Sequence, residues 1–236
     1  MTMLEKPKGK RASRYKGATE ENQSKLVSLE PLNDNQKLYL QALSNSDQVI
    51  VCGYSGTGKT YIAATYAANL YASHVVDKIV ITRPVVSVGK DLGYFPGTLD
   101  EKMMPWVAPV LEVLVAQLGK GTVETAIKNG NIEVAPLSTM RGRSFKNTFI
   151  ILDEASNTTV AEMMMFLTRV GKGCKVVING DVRQQDIKEQ SGLSKVFHLI
   201  KKYNMPIPIV EFQVEDIVRS DFVKEWIKVF TEEGLM

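Results

Sequence analysis

Cysteine and histidine are scarce in this chain: Cys52 and Cys174, with His74 and His198, are all that 236 residues contain. So few thiols, far apart and without a Cys-x-x-Cys pair, exclude a disulfide framework, and solitary histidines exclude a zinc cluster at the usual ligand spacings. No apolar run approaches the roughly 20 residues that cross a bilayer. The opening segment, MTMLEKPKGKRASRYKG, has charge but no apolar stretch behind it, the reverse of a secretory signal. With 17 glycines and 9 prolines, and no internal repeat or low-complexity tract, collagen-like and wholly disordered classes are also excluded. A cytoplasmic protein with no membrane partner is expected.

What is present is ordinary globular material, 44% hydrophobic and 23% charged, enough to bury a real core. The net charge of +3 is unevenly spread: Lys6, Lys8, Lys10, Arg11, Arg14 and Lys16 face only Glu5 within residues 1–16, so the remainder is slightly acidic. Such an arm, with Tyr15 interleaved, suits the phosphates of a nucleic-acid strand, and it equally suits a solvated tail. Residues 1–30 read as this basic flexible tail and linker, and 31–236 as the folded domain.

Beyond Leu32, apolar strand-like runs at 48–52, 78–82, 131–135, 148–152, 175–179 and 206–212 alternate with helical stretches. The helices are predicted at 33–43, 59–72, 100–118, 121–129, 159–170, 191–202 and 221–232. This alternation predicts a three-layer α/β domain with a mainly parallel sheet. The interval 83–147 is too long for a single crossover and reads as an inserted lobe. Met163, Met164 and Met165 fall in a helical frame, where core filling is the expected role.

The segment GYSGTGKT at 53–60 fits G-x-x-x-x-G-K-[ST] and lies between a strand and an alanine-rich helix, the context a phosphate-binding loop requires. Gly53, Tyr54, Ser55, Gly56, Thr57 and Gly58 form the loop whose N–H groups would face phosphate; Lys59 would bridge the β- and γ-phosphates, and Thr60 would offer its hydroxyl to Mg²⁺. The run TFIILDEASN at 148–157 ends an apolar strand in two acids. Asp153 suits a Mg²⁺–water ligand and Glu154 the polarisation of an attacking water; the plain alternative is an exposed acidic turn. In GDVRQQD at 180–186, Gln184 is placed to meet a γ-phosphate or the attacking water. Arg219 is the late-chain candidate for neutralising transition-state charge, within the chain or across an interface.

Taken with ITRP at 81–84, GYFPGTLDEKMMPW at 94–106, APLSTMRGRSF at 135–145, MFLTRVG at 165–171 and DIVRS at 216–220, these motifs resemble the PhoH-like (phosphate-starvation-inducible) ATPases from about Leu32 to Phe230. The resemblance implies a RecA-like P-loop NTPase core with a small helical insertion, related to the first motor domain of superfamily 1 helicases and using ATP with Mg²⁺. It implies that Gln36 approaches the adenine. Ser156, Glu162, Met164 and Ser220 depart from the family's usual Gln, Gln, Lys and His, which bears on coupling and rate. The additional domains of larger bacterial relatives are not expected, and the short form resembles those of bacteriophages.

One RecA-like domain makes half of a helicase-type site, so a homo-oligomer is expected, a hexameric ring above all, with Arg219, Arg141 or Arg143 reaching a neighbour. The expected function is ATP hydrolysis coupled to single-stranded nucleic acid, RNA favoured, with Arg141, Arg143, Lys8, Lys10, Arg11 and Arg14 as phosphate contacts. The alternative is a nucleotide-gated assembly protein without motor activity; a small-molecule kinase fits less well.

Overall fold

A computed structural model describes residues 27–85, 99–183, 187 and 189–234. Six strands form one sheet: β1 (Gln48–Gly53), β2 (Lys78–Arg83), β3 (Ile132–Pro136), β4 (Thr148–Leu152), β5 (Lys175–Gly180) and β6 (Ile209–Phe212). Seven α-helices are described: α1 (Asp34–Asn45), α2 (Lys59–Ala72), α3 (Leu99–Leu118), α4 (Lys120–Lys128), α5 (Val160–Leu167), α6 (Gly192–Tyr203) and α7 (Asp221–Glu232). Every ladder is parallel, in the order β3-β2-β4-β5-β1-β6. The chain therefore leaves β1 for β2 across two positions that β4 and β5 later fill, and the C-terminal ends of these strands share one rim. In open α/β sheets that rim, at the point where strand order reverses, is where ligands bind.

Near-continuous Val and Ile runs make both faces of the sheet apolar, and alternation along each strand divides them. Val49, Val51, Ile79, Ile81, Phe149, Ile151 and Val177 pack with α1, α2, α3 and α4, while Ile50, Val80, Ile150, Val176 and Ile178 pack with α5 and α6. Helix α2 comes close because it meets the sheet with Ala63, Ala64, Ala67 and Ala68, all fully buried. The result is the three-layer α/β architecture expected from the sequence.

Three expectations change. The helical insertion within 83–147 is α3 and α4, but Met103, Val107, Val110, Leu114, Val123 and Ala126 share the α2-side core and β3 is an edge strand of the sheet. The described part of the interval is thus built into the domain instead of standing off as a lobe. The fold also begins before residue 31: the Val27 N–H and carbonyl pair with the Asn69 side chain at 3.1 and 2.9 Å, and Leu29 packs on the core. Of the methionine triplet only Met163 is in the core, whereas Met164 is 65% exposed. Among the described residues no helix is long and apolar enough to cross a membrane.

Candidate nucleotide-binding site

The loop between β1 and α2 holds backbone shapes that side chains resist. Gly53 has φ 126° and Gly56 has φ 82°; a Cβ on Gly53 would strike the Phe212 carbonyl, and one on Gly56 would meet the Arg219 side chain. The loop is pinned from inside by Thr57, fully buried, whose hydroxyl donates to the Tyr54 carbonyl at 2.9 Å. Lys59 folds back over it, its Nζ donating to the carbonyls of Gly53 at 2.6 Å and Tyr54 at 2.7 Å. Helix α2 starts at Lys59 with no side-chain cap at Gly58, which leaves first-turn N–H groups at the loop for an anion. Burial pulls the Lys59 ammonium below its usual pKa, opposed by Asp181, Asp153 and Glu154. Three carboxylates therefore lie near enough to favour its charged form.

Strand β4 delivers the two acids. The Asp153 N–H donates to the Thr82 carbonyl at 2.9 Å, carrying the β2 ladder one step past the strand. Glu154 then turns into the left-handed region at φ 51° and ψ 41°, which sends its side chain in another direction from its neighbour. That conformation costs a residue with a Cβ on the order of 1–2 kcal/mol. Burial raises the pKa of Asp153, with Arg83 and then Lys59 among the groups that oppose the rise. Burial also raises Glu154, and the charge of Asp153 pushes it further. Glu154 thus has the environment of a carboxylate that takes up a proton more readily than a free glutamate.

Among the described residues no group of three or more His, Cys, Asp or Glu side chains is set to hold a metal unaided. Asp153 and the half-buried Thr60 are the hard oxygen donors at the loop, a set that fits Mg²⁺ sharing its shell with phosphate oxygens and water. Asp181 adds to the anionic character: it is 5% exposed, its Oδ1 accepts from the Arg183 N–H and Nε at 3.1 Å, and its Oδ2 has no partner.

The remaining expected residues divide. Gln36 reaches the loop, but its Nε2 donates to the Thr57 carbonyl at 3.0 Å and its Oε1 accepts from the Leu32 N–H at 2.8 Å, so both ends of the amide brace the protein. Arg219 lies over Gly56 of its own loop, where the adjacent Val218 N–H donates to the Gly56 carbonyl at 3.0 Å. Tyr54 is buried with the Arg183 guanidinium 3.6 Å from its ring centre, and Ser55 is exposed. Arg141 is exposed, as a phosphate contact requires. Arg143 is a correction: it grips Glu133 with both terminal nitrogens, at 2.8 Å for Nη2, and lies over Phe145, so its charge is already spent on the fold. Gln184, Lys8, Lys10, Arg11 and Arg14 lie outside the described residues.

Sequence reasoning passed over Arg83, Asn179, Asp181 and Arg183. The available signal was position, since each lies at or just beyond the C-terminal end of an apolar strand, on the rim shared by Gly53 and Asp153. Of the residues that depart from the family's usual pattern, Glu162 closes a capping box with Thr159, whereas Ser156 is fully buried with an unpartnered hydroxyl.

Sheet order, glycine loop and strand-end acids together define the P-loop NTPase class. The chain belongs to the PhoH-like protein family, whose family model matches residues 28–231. It is 39% identical over 203 residues to protein PhoH of Escherichia coli (strain K12), covering 84% of this chain and 57% of that protein. It is 40% identical over 201 residues to the PhoH-like protein of Bacillus subtilis, covering 84% of this chain and 63% of that protein. The chain therefore spans little more than half the length of these relatives. Among solved structures, the Pif1 helicase from Candida albicans aligns with 87% of this chain and 44% of its own at 13% identity and a TM-score of 0.47.

Proposed function

We propose that this chain hydrolyses ATP with Mg²⁺ in a homo-oligomer, a hexameric ring above all, and couples hydrolysis to binding or remodelling single-stranded nucleic acid, RNA favoured. The observation that carries the reading is the convergence of Lys59, Asp153 and Glu154 where β1 and β4 end. Lys59 leaves its two loop carbonyls for phosphate oxygens and offsets their charge as it builds up. Asp153 and Thr60 would hold Mg²⁺, which would supply further charge neutralisation to the phosphates. Glu154 accepts a proton from the attacking water at its carboxylate, for which its burial and the charge of Asp153 make it a stronger base than a free glutamate. Arg219, already against Gly56, supplies a second cation within the same subunit.

Coupling to nucleic acid rests on the exposed Arg141 and the basic residues of the first 16 positions. ATP turnover with and without single-stranded RNA or DNA tests it. Stimulation by RNA that fades with salt is expected; turnover and binding both indifferent to either strand at low salt would refute the coupling. One observation favours the second reading, a nucleotide-gated assembly protein: Phe222, Trp226 and Phe230 form an exposed aromatic stripe along α7, with Trp226 edge-to-face on Phe222 and stacked on Phe230.

A further inference from the structure

Three side chains from adjacent strands stand in one lateral row at the rim. Register pairs Thr82 with Leu152 and Leu152 with Ile178, so one step further Arg83 lies beside Asp153 and Asp153 beside Asn179. The row is on the α2 side, because Ile81, Ile151 and Val177, two residues earlier on each strand, belong to that core. Asn179 in turn pairs with Val51 on β1, which places it between the acid and the phosphate-binding loop.

The two flanks of Asp153 differ. Arg83 is half-buried and anchored from behind: its Nη1 donates to the Trp106 carbonyl at 3.3 Å and its guanidinium lies 5.0 Å from the Trp106 ring centre. Asn179 is only 1% exposed, and neither Nδ2 nor Oδ1 makes a geometrically complete hydrogen bond. It is the lateral neighbour of the Asp153 carboxylate on the β5 side, as Arg83 is on the β2 side. The three residues before it on the strand, Val176, Val177 and Ile178, are apolar, so a valine at 179 would suit the fold better than an amide without a complete hydrogen bond.

We propose that Asn179 is a positioning residue for Asp153: its Nδ2 steadies the carboxylate opposite Arg83, and its Oδ1 is a buried acceptor for a donor that the nucleotide and its metal bring. This rests on the function proposed above and assigns to the site a residue that neither the glycine loop nor the acid pair includes. The amide weakens the free protein and is compensated when ligand arrives.

The test compares wild type with Asn179→Val and Asn179→Thr in three readouts: melting without ligand, ADP affinity without metal, and Mn²⁺ affinity at saturating ADP. Asn179→Val should melt about 2–4 °C higher, bind metal-free ADP within about twofold of wild type, and bind Mn²⁺ about tenfold more weakly, the scale of outer-shell losses. Asn179→Thr, which keeps a hydroxyl, should recover most of the Mn²⁺ affinity. Unchanged Mn²⁺ affinity in Asn179→Val, with wild type binding normally, overturns this proposal alone. A lower melting point for both variants also overturns it, by showing that the amide serves the fold. Wild type that binds neither ADP nor Mn²⁺ overturns the proposed function and this inference together.

Discussion

Glu133 and Asp153 are both carboxylates with an arginine and a lysine close by, two strands apart on one sheet, yet their surroundings act in opposite directions. Glu133 on β3 is gripped by Arg143 and Lys78, and these bonds hold its pKa down to about 2. Asp153 has Arg83 and Lys59 nearby, but burial outweighs them and raises it. One cluster is complete within the protein, with every charge answered by a direct contact. The other keeps an Asp181 oxygen without a partner, a lysine held by loop carbonyls, an Asn179 amide without a complete hydrogen bond and a backbone outlier at Glu154. Completed ion pairs stabilise a fold, whereas unanswered charge and strain at a rim suit a ligand.

The two clusters should respond oppositely to mutation. Lys59→Ala is expected to weaken ATP binding on the order of 100-fold, the cost of removing a desolvated cation from an anion site, while the free protein melts no lower, because a buried ammonium is gone. Equilibrium binding and a melt on the same sample check both halves.

Next in size is Glu133→Gln, expected to lose about 1–2 kcal/mol of stability after allowing for solvent screening, with ATP binding unchanged. The pH slopes follow from the directions of shift. Glu133 has a lowered pKa, so its contribution is full above the ordinary carboxylate range and disappears as pH falls toward about 2. Asp153 and Glu154 have raised values, so in the free protein their ionisation costs stability as pH rises through those values. Acid melting curves of wild type and Glu133→Gln should therefore converge only as pH falls to about 2.

The smallest effect expected separates two neighbouring arginines. Arg141→Ala should lower the salt dependence of RNA binding by about one unit of slope and leave stability alone. Arg143→Ala should do the reverse, behaving in a melt like Glu133→Gln. Titrations at several salt concentrations distinguish them.

The strands and the glycine loop were legible because their signals are local: β2 and β4 begin where their apolar runs begin, and GYSGTGKT falls at the start of α2. What the sequence did not reveal depends on register and long-range contact. Arg143 looked like a free cation because Glu133 is ten residues earlier, on the far side of a turn. Arg83 and Asn179 become neighbours of Asp153 only once β2, β4 and β5 are aligned side by side. Gln36 was expected at the adenine, whereas its amide is bonded to Leu32 and Thr57. The left-handed turn at Glu154 has no local marker, since neither glycine nor asparagine stands there.

ATP turnover by Glu154→Gln, measured beside wild type at equal nucleotide occupancy and across pH, examines the reading of this rim most directly. Wild type is expected to hydrolyse ATP with an acid limb above the ordinary carboxylate range, and the variant to bind as well but turn over about 100-fold more slowly or less, without that limb. Equal turnover by the two proteins would show that Glu154 takes no proton from water, and the hydrolytic role given to the acid pair would have to be abandoned.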